Sequence, residues 1–329
     1  MKTNADAIIF HTAICAGASQ ISLDGRVEIA FANFYSPHRI RSRMEIIMKK
    51  VITLATALML FVGVLTGCGA GDAPKETTTG SNQTGNSQTV STDGSTSMEK
   101  VIGFLSEAYM EENGDIKVTY NPTGSSSGIQ AVSEGRCDIG LASRDLKDEE
   151  KAELTGTVVA IDGIGIIVNP DNPVTDLSIE QVAKIYTGEI ANWKEVGGND
   201  APIVCIGREA ASGTRDGFEE VTDTKDKCKY SQELTSTGDV VQTVSGNPNA
   251  IGYASVASVN ESVNAVSIEG VTPTTESIQN GAYKIQRNFV LITKKDTPLS
   301  KAAQEFFDFA TSEKADRLIA EAGAVPVKR

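Results

Sequence analysis

From Ser95 onward, short apolar runs alternate with segments of helical periodicity, and this alternation constrains the fold more than any other feature of the chain. Runs with strand character lie at 116–120, 138–142, 158–169, 202–207, 251–254 and 289–292, and helical segments lie at 98–109, 129–132, 178–186, 302–310 and 313–322. Strands that alternate with amphipathic helices are typical of α/β proteins. The sequence therefore predicts an α/β fold.

Two of the predicted helices have clear local signals. Ser178 and Gln181 have the spacing of a capping box, and Gly188 is placed to end that helix. The helix at 98–109 has one apolar face, formed by Met98, Val101, Ile102, Leu105 and Tyr109. We expect this face to be buried.

Three strand-to-helix corners consist of small residues that carry hydroxyl groups. They are Gly94-Ser95-Thr96-Ser97, Gly124-Ser125-Ser126-Ser127-Gly128 and Ser212-Gly213-Thr214, the last with Ser212 at the N-cap position. A helix start exposes backbone N–H groups at the positive end of the helix dipole, which favours an anion. In open α/β sheets such corners lie at the carboxyl ends of the strands, where ligands bind. The alternative is that each is an ordinary capped turn.

Residues 48–67 have the pattern of a secretory leader. Met48 and two lysines at 49–50 precede an apolar run at 51–65 of signal-peptide length, too short to span a membrane comfortably. The segment ends in Leu65-Thr66-Gly67-Cys68, which resembles the bacterial lipobox and implies cleavage before Cys68 and its acylation, palmitate included. Residues 1–47 are interpreted as an upstream extension outside the native start, with an extended basic leader as the alternative.

Composition excludes several function classes. The chain has a net charge of −13, and removal of 1–67 leaves 23 Lys and Arg against 39 Asp and Glu, a net charge of −16. Such an acidic chain is not typical of nucleic-acid binders. Both histidines, His11 and His38, precede Cys68, so the mature protein has neither imidazole catalysis nor His-ligated metal sites, and we expect no metal and no cofactor.

The segment that follows the leader is polar and rich in Ser, Thr, Gly and Asn up to about Gly94. We interpret 68–90 as a flexible tether, because it has no apolar periodicity with which to bury surface. Cys137, Cys205 and Cys228 remain beyond it, without metal-type spacing. One disulfide among these three is compatible with an extracytoplasmic protein, and the sequence does not choose the pair.

The three corners, taken with further motifs in order, resemble the phosphate-binding lipoproteins of bacterial phosphate ABC transporters. The similar segments lie at 94–98, 124–128, 138–144, 162–170, 190–193, 197–198, 208–214 and 250–253. The resemblance covers the chain from about Gly94 to its end. It implies a two-lobed type II periplasmic-binding-protein fold with crossover strands at the hinge. We place the first lobe at 91–165 plus 283–329 and the second at 166–282.

The resemblance also implies which residues hold the oxyanion between the lobes. The expected set is Ser95, Thr96, Ser97, Ser125, Ser126, Ser127, Ser143, Arg144, Arg208, Ser212, Gly213 and Thr214. A guanidinium such as that of Arg208 can bind two oxygens at once. Arg215 is expected either nearby or facing solvent.

One position departs from the family pattern. Many members have an aspartate where this chain has Arg144, and that carboxylate accepts the proton of hydrogen phosphate. An acceptor carboxylate discriminates against sulfate, which has no proton to offer. Either Asp145 or Glu209 supplies the acceptor here, or discrimination is weaker; we favour phosphate, with Arg144 in contact with it and Asp145 as the partner of Arg144.

The resulting hypothesis is a monomeric, lipid-anchored binding protein on the extracytoplasmic face of the cell membrane. It would deliver phosphate to the permease subunits of an ABC transporter. The alternatives are a binding protein for sulfate or molybdate, and a phosphate-sensing lipoprotein. A serine hydrolase is disfavoured, because the G-x-S-x-G pattern at 124–128 has no histidine base to serve it.

Overall fold

The computed structural model describes residues 88–328, which contain eleven β-strands and eight α-helices. The strands are β1 Gln88–Gly94, β2 Ile116–Asn121, β3 Ile139–Ala142, β4 Leu154–Val168, β5 Asp176–Leu177, β6 Val204–Arg208, β7 Gln232–Leu234, β8 Ala250–Ser255, β9 Asn264–Ile268, β10 Gln286–Lys294 and β11 Val325–Pro326. The helices are α1 Glu99–Glu112, α2 Ser125–Ser133, α3 Ile179–Thr187, α4 Gly213–Val221, α5 Thr237–Ser245, α6 Thr275–Gln279, α7 Lys301–Ala310 and α8 Lys314–Glu321. The predicted α/β class is confirmed.

The strands pair in the order β2-β1-β3-β10-β4-β8-β6-β7. β1 is parallel to both of its neighbours, and β6 is parallel to β7 and β8. The two central strands, β4 and β10, run antiparallel to each other. Each outer group of parallel strands therefore presents the carboxyl ends of its strands on one edge, where the strand-to-helix corners lie.

The long strand β4 contributes side chains to two separate hydrophobic cores, each formed with its own group of strands and helices. Val159 and Ala160 pack with β1–β3, β10, α1, α7 and α8. Ile164 and Ile166 pack with α3, α4, α6, β6, β8 and β9. We call these groups the first and the second lobe; α2 belongs to the first and α5 to the second. β4 therefore passes from the first lobe into the second, and the chain returns from Ile285 in the second lobe to β10 in the first. These two crossings give the expected two-lobed architecture with crossover strands.

An ion pair is buried where β4 and β10 pass between the lobes. Asp162 and Arg287 face each other in the antiparallel register, with Nη2 of Arg287 2.8 Å from Oδ2 of Asp162. The hydroxyl of Ser255 in β8 donates to Oδ1 of Asp162 at 2.7 Å. Burial raises the pKa of Asp162 and lowers that of Arg287, and their attraction opposes both shifts. This network ties both crossover strands to the second lobe.

The prediction that the tether extends to residue 90 is wrong, because β1 occupies Gln88–Gly94. β1 lies between β2 and β3, and its polar side chains bond within the sheet. The Thr92 hydroxyl donates to the carbonyl of Thr119 at 2.9 Å, and that of Ser91 donates to Asp138 at 2.6 Å. Residues 1–87, with the predicted leader, Cys68 and the rest of the tether, lie outside the described residues.

The two helices with local signals form as predicted. The Ser178 hydroxyl accepts from the N–H of Gln181, the Gln181 side chain accepts from the N–H of Ser178, and Gly188 ends α3 in the left-handed region. The apolar face at 98–109 is buried in the first lobe. Cys137, Cys205 and Cys228 are free thiols. None of the helices in residues 88–328 is long and apolar enough to cross a membrane.

Candidate anion-binding site

The second lobe supplies a corner between β6 and α4. β6 ends at Arg208, and α4 begins at Gly213 after an N-cap at Ser212, whose hydroxyl accepts from the N–H of Arg215 at 3.3 Å. Ser212 and Thr214 are each 1% exposed. The predicted N-cap is confirmed, and the first backbone N–H groups of α4 are directed at the buried corner.

Arg208 is a buried cation held by uncharged groups. It is 1% exposed, and its Nε and Nη2 donate to the carbonyls of Leu234 and Thr235 at 3.1 and 2.8 Å. Its Nη1 donates to the hydroxyl of Thr237 at 3.2 Å. None of the ion pairs within residues 88–328 involves Arg208. Burial lowers the pKa of Arg208 to about 10, as expected for a charge that has lost water and gained no counter-ion.

The first lobe supplies the other two corners. The hydroxyls of Ser95 and Ser97 lie 2.9 Å apart before α1, and the phenol of Tyr120 donates to the carbonyl of Ser95 at 2.8 Å. At the start of α2, the hydroxyl of Ser125 lies 3.1 Å from that of Ser143 and accepts from the Ser143 N–H at 3.0 Å. The residue that follows β3, Ser143, thus joins the α2 corner.

The three corners meet in the structure. The hydroxyls of Thr214 and Ser97 are 3.5 Å apart. A Cβ atom placed on Gly213 would lie 2.5 Å from Oγ of Ser125 and 2.8 Å from Oγ of Ser143, so only glycine fits. Ser126 and Ser127 are half-buried in the first turn of α2, and the Ser126 N–H donates to the carbonyl of Ala211 at 3.1 Å. Hydroxyls and helix N-termini of both lobes therefore share one buried locus.

Sequence reasoning missed Thr237, the first residue of α5. Its hydroxyl lies 3.1 Å from that of Thr96 and accepts from Arg208, and its N–H donates to the Thr96 hydroxyl at 3.2 Å. Thr237 is 2% exposed. The signal was present, since Thr235-Ser236-Thr237-Gly238 is a fourth small hydroxyl-bearing corner between a strand and a helix.

Arg144 has different partners from those we expected. Its guanidinium makes two hydrogen bonds of 2.8 Å to the carboxylate of Glu150, and its Nε lies 3.0 Å from Oδ2 of Asp216. The expectation that the Asp145 carboxylate is its partner is wrong: that carboxylate accepts from Asn288 at 3.0 Å, and only the Asp145 carbonyl accepts from Arg144.

The remaining charged candidates lie at the edge of the site. Arg215 pairs with Glu219 at 2.8 Å and with Glu233 at 3.2 Å, and its Nη1 donates to the carbonyl of Arg208 at 3.0 Å. Glu209 is half-buried, and its Oε1 would lie 3.5 Å from a Cβ placed on Gly124. Arg215 therefore stabilises the backbone at Arg208, in the corner between β6 and α4, whereas Glu209 lies beside the α2 corner.

Comparison with known proteins places this geometry in a family. The model of the PBP superfamily domain matches residues 77–314. The phosphate-binding protein PstS of Borreliella burgdorferi is 32% identical over 294 residues, covering 85% of this chain and all of that protein. PstS of Bacillus subtilis is 32% identical over 290 residues, covering 85% of this chain and 95% of that protein. The chain belongs to the phosphate-binding proteins of the PBP superfamily.

Solved structures of family members agree with the fold. A substrate-binding protein from Clostridium perfringens, assigned to phosphate ABC transport and crystallised with bound phosphate, is 42% identical, with a TM-score of 0.70; the match covers 73% of this chain and all of that one. An ABC-type phosphate transport receptor from Vibrio cholerae is 35% identical, with a TM-score of 0.61, and the match covers 72% of this chain and all of that one. The type II fold predicted from the sequence is confirmed.

Proposed function

We propose that this chain captures inorganic phosphate outside the cytoplasm and delivers it to the permease of an ABC transporter. The observation that carries the proposal is Arg208, a guanidinium 1% exposed and without a carboxylate partner among residues 88–328, beside a cluster of hydroxyls and helix starts. A buried charge is stabilised by a counter-ion, and a phosphate dianion supplies one. The names of the PstS relatives support the same ligand.

Binding would close the two lobes around the anion. In this proposal Thr96, Ser97 and the corner at 125–127 donate from the first lobe, and Arg208 with 212–214 donates from the second. Each lobe offers only part of the donor set, so phosphate binds the closed arrangement more tightly and shifts the population toward it. The proposed lobes are 91–165 plus 283–329 and 166–282, and near the crossovers Ile164, Tyr283 and Ile285 pack in the core of the second lobe.

The membrane attachment rests on sequence alone. We infer that the leader at 48–67 is removed, that Cys68 carries the lipid, and that a tether from 68 to about 87 precedes β1. Twenty polar residues have a reach on the order of 25 Å, enough to hold the folded protein beside a permease. Mass spectrometry of the mature N-terminus tests this inference; an unmodified Cys68 contradicts it.

Selectivity among oxyanions depends on a carboxylate that accepts the proton of hydrogen phosphate. Asp145 is engaged by Asn288, so Glu209 is the remaining carboxylate candidate for the phosphate proton. Sulfate and molybdate are the competing ligands. If Glu209 is the acceptor, Glu209→Gln lowers the ratio of phosphate to sulfate affinity, since a neutral amide no longer disfavours the fully deprotonated anion. An unchanged ratio removes Glu209 from the site.

Calorimetry on anion-stripped protein tests the ligand. Arg208→Gln removes the buried cation, and Arg317→Gln removes the same charge from an exposed position on α8, where the Arg317 side chain is 84% exposed. We expect wild type and Arg317→Gln to bind phosphate alike, and Arg208→Gln to lose at least about tenfold, as removal of a charge-assisted hydrogen bond implies. Equal phosphate affinity of all three proteins contradicts the proposal.

The hydrolase alternative has no support at Ser126, the central serine of the G-x-S-x-G pattern. The nearest side-chain partner of its hydroxyl is Nη2 of Arg144, at 3.4 Å. A guanidinium has no lone pair with which to take the serine proton. We therefore propose binding and transport without catalysis.

A further inference from the structure

An ion pair joins the two lobes outside the hydroxyl cluster. Arg144 follows β3 of the first lobe, and Asp216 lies in the first turn of α4 in the second. Nε of Arg144 is 3.0 Å from Oδ2 of Asp216. Among the ion pairs of the described residues, this one alone bridges the cleft, since the other pairs either lie within one lobe or join the crossover strands.

Arg144 is fixed in the first lobe by its other contacts. Both Nη atoms donate to the carboxylate of Glu150 at 2.8 Å, and Nη1 also donates to the Asp145 carbonyl at 2.9 Å. Nη2 lies 3.4 Å from the hydroxyl of Ser126. These acceptors occupy the four Nη hydrogens, and the remaining nitrogen, Nε, lies 3.0 Å from Oδ2 of Asp216. The guanidinium is therefore fixed in the first lobe, and its Nε side lies next to the second lobe.

The surroundings of the pair strengthen its attraction. The Arg144 side chain is 8% exposed and that of Asp216 is 33% exposed, so the pair is partly shielded from water. Nε of Arg144 is buried and makes no aligned hydrogen bond, so its contact with Asp216 is an attraction between charges. Burial raises the pKa of Asp216 and the charge of Arg144 opposes that shift. Separation of the lobes therefore removes the strongest attraction by a cation that acts on the Asp216 carboxylate, ahead of those of Lys147 and Lys225.

We propose that the Arg144–Asp216 ion pair is a latch that stabilises the closed form and raises ligand affinity without touching the ligand. Both are positioning residues, and Arg144 acts through Asp216 rather than through the anion. The inference rests on the proposed function, because it assigns Arg144 a role at the same phosphate site. It also accounts for the burial of an arginine at this position, because two carboxylates of this chain already bind it.

A double-mutant cycle tests the latch. Phosphate affinity is measured by calorimetry for wild type, Arg144→Gln, Asp216→Asn and the double variant, with Glu233→Gln as control because the Arg215–Glu233 pair lies within the second lobe. We expect each single substitution to weaken phosphate binding about two- to fivefold, the range of partly exposed ion pairs. The double variant should be no weaker than Arg144→Gln, and Glu233→Gln should match wild type.

The opposite pattern overturns the latch. If Arg144 contacts the anion, Arg144→Gln weakens binding further in the Asp216→Asn background. Small-angle scattering of anion-free protein provides a readout that does not depend on phosphate: the single variants should have a larger radius of gyration than wild type and Glu233→Gln. Equal radii contradict the latch. An absence of phosphate heat in wild type contradicts the proposed function instead, and scattering still decides the latch.

Discussion

Replacement of Gly213 by alanine would test the contact between the lobes at the site. The added methyl carbon would lie 2.5 Å from Oγ of Ser125, 2.8 Å from Oγ of Ser143 and 3.0 Å from Cβ of Ser125. Both serines belong to the first lobe and Gly213 belongs to the second, so the clash exists only when the cleft is closed. Overpacking of this kind costs about 1–3 kcal/mol, which corresponds to a loss of about 5-fold to 150-fold in affinity.

The assay compares phosphate affinity with thermal stability. Gly213→Ala keeps the backbone N–H, so reduced binding reports the obstructed closure and not a lost donor. We expect weaker phosphate binding and an unchanged melting temperature without ligand, because the open form accommodates the methyl group. Gly238→Ala is the control: it lies in the first turn of α5, where the nearest atom to the added carbon is Oγ of Ser236 at 3.8 Å. Wild-type affinity of Gly213→Ala would refute the reasoning.

Three further predictions concern groups around the site and the hinge. Thr237→Val removes the hydroxyl that orients Arg208 and should weaken phosphate binding about two- to tenfold by calorimetry, as loss of one hydrogen bond implies; unchanged affinity contradicts its role. Although burial opposes it, hydrogen bonds from Arg144 and the Lys147 N–H lower the pKa of Glu150, so its contribution to stability is present above its unfolded pKa of about 4.5 and is lost as pH falls through the folded value. Denaturant unfolding from pH 6 to pH 3 should therefore show a smaller stability loss for Glu150→Gln, and identical slopes contradict this. Arg287→Met leaves Asp162 buried without its cation and should cost about 3–5 kcal/mol of unfolding free energy at pH 7, less at low pH where Asp162 is protonated; a variant as stable as wild type at pH 7 contradicts the buried pair.

Local chemistry made much of the fold predictable. The capping box of Ser178 and Gln181 depends on residues three positions apart, and both bonds form. The corner residues Ser212 and Gly213 were readable for the same reason, since an N-cap and a close approach leave a local signature.

The contacts that the sequence did not reveal are long-range. β1 has a single large apolar residue, Val90, and is ordered by pairing with strands that follow it in the chain. The partner of Arg144 across the cleft, Asp216, lies 72 positions away, and no periodicity links the two. Thr237 had the right local pattern, but its proximity to Arg208 arises only when β7 pairs with β6.

The central claim is that three corners from two lobes surround one tetrahedral anion. Arsenate has the shape and charge of phosphate and scatters anomalously, so an anomalous difference map of crystals grown with arsenate locates the anion directly. We expect one dominant peak within hydrogen-bonding distance of Arg208, Ser125 and Thr214. A peak elsewhere in the protein, or none at these corners, would contradict it.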